Sequence, residues 1–391
     1  MPMLRVLTLA TLFPDASRPT FGGFVERQTL GLAARDDVEL EVVAPIGIPP
    51  WPFRRHTRHA ALADVPEQEV WKDVIVHRPR FRTIPKIGGP LAPAAMARAL
   101  GPLLRTIRER FPFDIIDAEF FYPDGPAAMR LAREFDLPFS VKARGADIHY
   151  WGRRTGSAAQ VLAAADAADG LLAVSEALRT DMVALGMTAD KIAVHYTGID
   201  KSRFRPVDRS AAKEALGVEG PLIVTVGALI PRKGQRLVVE ALADIPDARL
   251  WCVGEGEDRP MLEKRARDLG LADRVHLPGN LPHDDVANLL AAADVMVLPS
   301  ASEGLANAWV EALASGTPIV ISAVGGAAEL VDRPEAGAIV DRSPRAIADA
   351  VRALLADPPD PYKVRAAVDR FSWERNSETL FAHLSALVER Q

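Results

Sequence analysis

The sequence predicts an α/β protein of two similar sandwiches, each a parallel sheet covered by helices on both faces. Three observations predict it. Short apolar runs rich in β-branched residues alternate with longer helical patterns. That series occurs twice along 391 residues, a length that accommodates two or three domains. Between the two series lies a polar, turn-rich segment, TGIDKSRFRP at 197–206.

In the first half, strands are expected at 4–10, 38–44, 74–77, 114–118, 138–143, 170–174 and 192–196. In the second half they are expected at 222–226, 248–253, 275–277, 295–298, 318–321 and 338–340, with helices at 175–185, 235–242, 258–269 and 284–293. Alternation of this kind places the sheets inside, which is why the strands read as continuous apolar runs. The expected domains are 1–200 and 201–368, and the last segment, 369–391, is expected to return to the first domain through a helix over 373–389.

The opening MPMLRVLTLATLFP reads as a buried first strand and not as a leader, because its apolar run is short and lacks a small-residue cleavage site. The longest uncharged stretch, Ala312–Ala328, is interrupted by Gly316, Pro318, Gly325 and Gly326, so no membrane span is expected. A lone cysteine, Cys252 in ARLWCVG, excludes an intrachain disulfide and reads as a buried strand residue. These features suit a cytoplasmic protein. The net charge of −5 conceals an excess of seven positive charges between Pro45 and Phe111. Those cations are interleaved with apolar residues at Trp51–Arg58 and Arg78–Lys86. The region is either a solvated loop or a surface for anionic lipid or an anionic acceptor, at the inner face of the plasma membrane. No nucleic-acid motif accompanies the charge.

Two motifs carry chemistry. In the first, Glu303-Gly304-Leu305-Ala306-Asn307-Ala308-Trp309-Val310-Glu311, a strand is followed by a helix start. Gly304 and Leu305 bring backbone close to a ligand, and the N–H groups near Ala306 and Asn307 favour a phosphate. Glu303 and Glu311 can grip two ends of a long ligand; as an isolated pair they read rather as a helix cap at Glu303 and a solvated face at Glu311. In the second motif, Val226 through Gly234, Gly227 follows a strand and Arg232 and Lys233 supply cations for a diphosphate, or are ordinary loop cations.

The succession VSEALR, TGIDKSRFRP, VGALIPRKGQ, WCVGEGEDR, HLPGNLPHDDV, LPSASEGLANAWVEALASGTPIV and GGAAELV resembles glycosyltransferase family 4, with the GT-B architecture of two facing Rossmann-like domains. FGGFVERQTLGLA resembles the family's first domain, and DIIDAEFFYPDGPAA followed by VKARGADIHYW resembles the branch linked mainly to extracellular polysaccharide and surface-glycan assembly. The resemblance implies that Glu311 holds the donor ribose, Glu303 the donor sugar hydroxyls and Lys233 the diphosphate, with Gly279, Asn280 and Leu281 beside the base. Gly22 and Gly23 would approach the donor phosphate and acceptor, and Arg27, Glu119, Tyr122 and Asp147 are acceptor-side candidates. Asp147 could also orient Arg144 or cap the following segment. Glu303, Lys233 and Arg144 are the catalytic candidates. The chain departs from many relatives at Ala228, where they have Arg, and at Arg144, where they have His; an Arg can donate to a phosphate or hydroxyl but is no base.

The expected partners are therefore a nucleotide sugar, with UDP favoured over GDP, and a glycan or lipid-linked acceptor. No cofactor or metal is expected: Asp-x-Asp, zinc spacing and a Walker motif are all missing, and Gly254-Glu255-Gly256 lacks the third glycine of a dinucleotide fingerprint. The family's route retains the anomeric configuration. His276 and His283 read as surface histidines. A nucleotide-sugar epimerase or phosphorylase of the same architecture, and a catalytically silent nucleotide-sugar-binding assembly subunit, are the other readings.

Overall fold

A computed structural model describes residues 3–19, 21–50, 62, 64–83 and 89–390. They form two units, one of residues 1–198 and 373–391, the other of 199–372.

In the first unit, strands β1 (Leu4–Leu9), β2 (Val38–Val43), β3 (Ile46–Ile48), β4 (Gln68–Trp71), β5 (Val74–His77), β6 (Arg80–Arg82), β7 (Ile115–Ala118), β8 (Phe139–Ala143), β9 (Gly170–Ala173) and β10 (Ile192–Val194) are joined by helices. The helices are α1 (Gly23–Ala33), α2 (Ala92–Arg110), α3 (Asp124–Phe135), α4 (Ala146–His149), α5 (Ala158–Ala167) and α6 (Glu176–Ala184). The main sheet runs β10-β9-β8-β7-β1-β2-β5-β4, and β3 pairs with β6 apart from it. All its pairings are parallel except β4 with β5. That hairpin turns at Lys72 and Asp73, both with positive φ, 48° and 71°. This is the backbone a two-residue hairpin loop requires.

In the second unit the order is α7 (Arg209–Ala215), β11 (Leu222–Val226), α8 (Gln235–Ala241), β12 (Arg249–Val253), α9 (Arg259–Asp268), β13 (Val275–Gly279), α10 (His283–Ala292), β14 (Val295–Leu298), α11 (Asn307–Ala314), β15 (Ile319–Ser322), α12 (Ala327–Leu330), β16 (Gly337–Val340), α13 (Pro344–Ala356) and α14 (Pro361–Ala366). Its sheet, β13-β12-β11-β14-β15-β16, is parallel throughout. Val224, Cys252, Val297 and Val320 are fully or almost fully buried within it. Burial pushes the Cys252 thiol up to about 12, so it is an inert core group.

The last helix, α15 (Trp373–Val388), belongs to the first unit. Leu380, Leu384 and Leu387 lie on one helical face and pack on Leu4, Val6, Leu32, Val38, Ile115 and Leu172. Each fully buried leucine contributes about 2 kcal/mol. Where the chain enters this helix, a Cβ on Gly198 would lie 2.6 Å from Trp373 Cδ2, so glycine is needed there. The return starts at Trp373, four residues beyond the expected 369, because Val368 and Phe371 are buried in the second unit.

The strands that sequence reading passed over, β3, β4 and β6, all lie in the basic region, as does helix α2, one of several helices it did not name. Helix α2 contains Gly101 and Pro102, which hide its period, and β4 is an edge strand of mixed exposure.

Candidate functional site

Sheet order locates the site in the second unit. From β11 the chain proceeds outward through β12 and β13; β14, on the other side of β11, starts the opposite series. Ligands of open α/β sheets bind at the carboxyl ends of strands flanking such a reversal. The loops that leave β11 and β14 carry both sequence motifs, and they are tied together. Ala301 N–H donates to the Arg232 carbonyl at 2.7 Å, and the Arg232 guanidinium donates to the Ser302 carbonyl. Gly234 has φ 78°, and a Cβ there would lie 2.5 Å from the Pro299 carbonyl oxygen. Buried Gln235 donates to the Ala228 carbonyl at 3.0 Å, fixing the turn there.

These constraints bring Lys233 Nζ to 2.6 Å from Glu303 Oε1, with Arg232 Nη1 at 3.4 Å from the same oxygen. The Lys233 and Glu303 side chains are 14% and 9% exposed, so the pair is largely desolvated. The glycine loop after β15 clamps the Glu303–Gly304 backbone: Gly326 N–H donates to the Gly304 carbonyl at 2.8 Å, and a Cβ on Gly325 would lie 2.4 Å from that oxygen. This gives GGAAELV a physical reason.

Helix α11 opens beyond Glu303 without a side-chain cap, and Trp309 anchors its buried face. Its first amide groups and dipole favour an anion. Glu311, on the same helix, lies 3.2 Å from His283 Nε2. Arg203 Nη1 approaches His283 Nδ1 at 3.1 Å, and Phe204 packs edge-on against the ring. An Arg can only donate, so Nδ1 accepts and Nε2 carries the proton given to Glu311. His283, read from sequence as an ordinary surface histidine, is therefore the orienting partner of Glu311. The signal that would have found it is its place at the first position of α10, after the turn assigned to the base. In that turn Gly279 is buried with φ 83°, Asn280 is exposed and Leu281 is partly buried. Gly227, with φ 150°, ends β11's loop contact by donating its N–H to the Val253 carbonyl at 3.0 Å.

In the first unit the corresponding reversal lies between β1 and β7. Gly22, with φ 67°, sits after β1 so close that a Cβ would lie 2.2 Å from the Leu12 carbonyl oxygen, while Gly23 opens α1 into free space. Arg27 is partly buried on α1. Three of the acceptor-side candidates, Asp147, Tyr122 and Glu119, are buried side chains. Asp147 is fully buried, and its carboxylate accepts the N–H groups of Phe121, Arg144, Gly145 and Ile148. It organises the loop that presents Arg144. Tyr122 is 2% exposed, stacked on Trp151 and bonded to the Gly89 carbonyl. Glu119 is 1% exposed and ion-paired with Arg144. Sequence alone did not tell Tyr122 and Glu119 from surface groups, because their partners, Gly89 with Trp151 and Arg144, lie more than twenty residues away along the chain.

Around Arg144 lies a buried polar cluster the sequence did not announce: Gln28, Asp117, Glu119, Lys142 and His195, each at most 2% exposed. Burial, then the Glu119 charge, push Asp117 well above the usual carboxylate range. Burial, then the Arg144 charge, bring Lys142 down to about 7.

Of the segments expected to face lipid, Trp51–Arg58 lies outside the described residues, as do 84–86. Arg78 is 1% exposed and donates to Glu69 and the Pro14 carbonyl, and Phe81 is buried, so neither is a surface group; Arg82 is exposed. Among the described residues no helix is long and apolar enough to cross a membrane.

Comparison with known proteins identifies the family. Residues 25–203 match the model described as Glycosyltransferase Family 4, and residues 207–371 that of Glycosyl transferases group 1. TuaC of Bacillus subtilis, named as a teichuronic acid biosynthesis glycosyltransferase, is 28% identical over 89% of this chain and 88% of its own. The D-inositol 3-phosphate glycosyltransferase of Xylanimonas cellulosilytica is 36% identical over 59% of this chain and 60% of its own. The lipopolysaccharide core biosynthesis glycosyltransferase LpsE of Rhizobium meliloti is 34% identical over 50% and 54%. The chain thus spans somewhat over half the length of those two relatives. Among solved structures, a sucrose-phosphate synthase of Thermosynechococcus elongatus superposes with a TM-score of 0.81 at 21% identity, covering 99% of this chain and 100% of that one. Anabaena HepE in complex with UDP and glucose gives 0.75 at 20%, covering 98% and 100%. The two matched regions meet at the boundary between the two Rossmann-like units, and together they account for both: the chain belongs to glycosyltransferase family 4, with the GT-B architecture.

Proposed function

We propose that this glycosyltransferase moves a sugar from a UDP-sugar to a hydroxyl of a glycan or lipid-linked acceptor in surface-glycan assembly, with retention at the anomeric carbon and without a metal. The observation that carries the donor assignment is the Lys233–Glu303 pair at the β11/β14 reversal, beside the uncapped start of α11. Lys233 and the amides near Ala306 and Asn307 neutralise the departing diphosphate. Glu303 receives the sugar hydroxyls, and Glu311, oriented by His283, receives the ribose. Arg144 donates to a phosphate or hydroxyl. The TuaC and LpsE relatives support the surface-glycan assignment, and the UDP complex of HepE supports the base.

Retention follows from a same-face route. The acceptor hydroxyl attacks on the side from which the diphosphate leaves, the diphosphate oxygen takes the hydroxyl proton, and the sugar passes through an oxocarbenium-like state. The anomeric carbon–oxygen bond to phosphate breaks as the new glycosidic bond forms. A peripheral contact with anionic lipid through the basic region of the first unit would bring a lipid-linked acceptor near. Flotation with anionic but not neutral vesicles, lost in high salt, supports that contact, and equal binding to both removes it. The central test is proton NMR of the first product made from an α-linked UDP-sugar. An α-linked product is expected, and a β-linked one overturns the mechanism.

A further inference from the structure

Arg144 stands at the end of a hydrogen-bond chain whose direction is set at every link. The Asn376 carbonyl can only accept, so His195 Nε2, 2.8 Å away, donates to it and leaves Nδ1 as an acceptor. Lys142 Nζ therefore donates to Nδ1, at 2.6 Å, and also to Gln28 Oε1. With its oxygen turned to Lys142, the Gln28 amide presents its NH2 to Glu119 Oε1. The other Glu119 carboxylate oxygen accepts from Arg144 Nη2, and Arg144 Nε donates to the Glu119 main-chain carbonyl at 2.8 Å. A neutral Lys142 amine still has the two N–H groups that the chain needs. Asp117 is driven toward its neutral form by burial and by the Glu119 charge.

A core needs no such chain. Buried ion pairs replaced by well-packed apolar groups commonly cost nothing. This one is drawn from α1, β8, the loops after β7 and β10, and helix α15, and it ends at the carboxyl end of β8, on the ligand-binding edge of the sheet. The guanidinium is 4.8 Å from the centre of the Phe24 ring, its side chain is 6% exposed, and two of its three nitrogens are committed to Glu119.

We infer that Glu119, backed by Gln28 and Lys142, is a positioning residue that holds the Arg144 guanidinium in one orientation for the substrate. The inference rests on the assignment of Arg144 to the substrate made above. Its test is a double-mutant cycle read as UDP release from a panel of UDP-glucose, UDP-galactose, UDP-N-acetylglucosamine and UDP-glucuronate, using the sugar turned over fastest. R144A is expected to lower kcat about 10- to 100-fold, and E119Q about 10-fold with KM for the donor nearly unchanged. In the R144A background E119Q is expected to have no further effect, since the group it orients is gone. If E119Q is poorly folded, Q28M, which keeps volume and cannot bridge, replaces it in the same cycle with an expected loss of about threefold. Equal fold losses from E119Q or Q28M with and without Arg144 overturn the positioning role. Unchanged kcat in R144A overturns it differently, by removing Arg144 from the reaction while UDP release still reports the transferase. No UDP release from any sugar in the wild-type protein refutes the donor assignment itself.

Discussion

Under the proposed donor assignment, the Lys233–Glu303 pair makes Glu303 a competitor of the nucleotide. Lys233 Nζ lies 2.6 Å from Glu303 Oε1, and both side chains are mostly shielded from water. At an effective dielectric of about 20 the Coulomb attraction at that distance is about 6 kcal/mol. After desolvation, a hydrogen bond between charged groups nets about 1.5–3 kcal/mol. A diphosphate that engages Lys233 must share or displace this contact. E303Q keeps the shape and removes the charge, so a part of that net value, about 1.4 kcal/mol, becomes available to the ligand, which corresponds to about tenfold tighter binding. UDP alone should therefore bind E303Q about tenfold more tightly than the wild type, while turnover of UDP-sugar falls about 10- to 100-fold because the sugar hydroxyls lose their charged acceptor. K233A should weaken UDP at least tenfold. Titration calorimetry with UDP and a UDP-release assay measure both sides of the split. If E303Q weakens UDP as K233A does, Glu303 is not a competitor but a part of the nucleotide contact, and the division of roles fails.

Three further outcomes follow from the geometry. E311Q should raise the donor KM about 10- to 100-fold with kcat little changed, and H283A should do so by a smaller factor, because His283 only orients the carboxylate; steady-state kinetics in which both leave KM unchanged would remove the ribose assignment. His383 lies within hydrogen-bonding distance of Ser140, and burial, then the charges of Lys142 and Arg390, lower it from 6.5 to about 4. The folded first unit thus prefers the neutral ring, so stability is fully present above pH 6.5 and is lost as pH falls toward 4, by about 3 kcal/mol at most. Urea midpoints between pH 7 and 4.5 should show a slope that H383Q flattens; an unchanged slope would assign it to other groups. Finally, UDP release should persist in excess EDTA, since Lys233 and the α11 amides are assigned the leaving-group charge; loss restored by magnesium or manganese would reverse that assignment.

What could be read from the sequence was local, and what could not was set by register between distant segments. The loops after β11 and β14 each hold their proposed ligand groups within a few residues, so Lys233, Glu303 and Glu311 stand out along the chain. That Lys233 and Glu303 meet depends on β11 lying beside β14, with Ile223 opposite Val295, which no short motif encodes. The first unit shows the stronger case. Gln28, Glu119, Lys142, His195 and Asn376 come from five places in the chain, and each reads singly as a surface group. Lys142 lies inside an apolar strand, FSVKA, where alternation alone would turn it to one face. Buried on both faces, the sheet gives it no water to reach, and only partners from α1 and the loop after β10 make its burial tolerable. A charged residue in a continuous apolar parallel strand is thus the one signal available in advance. It implies a buried partner network at the ligand-binding edge, although not which residues compose it. Departures at Ala228 and Arg144 gain sense from the same reasoning. Ala228 adds no cation, and Arg232 and Lys233 already meet at Glu303. Arg144 stands where the family resemblance leads one to expect an imidazole, and a fixed guanidinium in a buried pocket is stable only with a carboxylate opposite it, which is the place Glu119 holds.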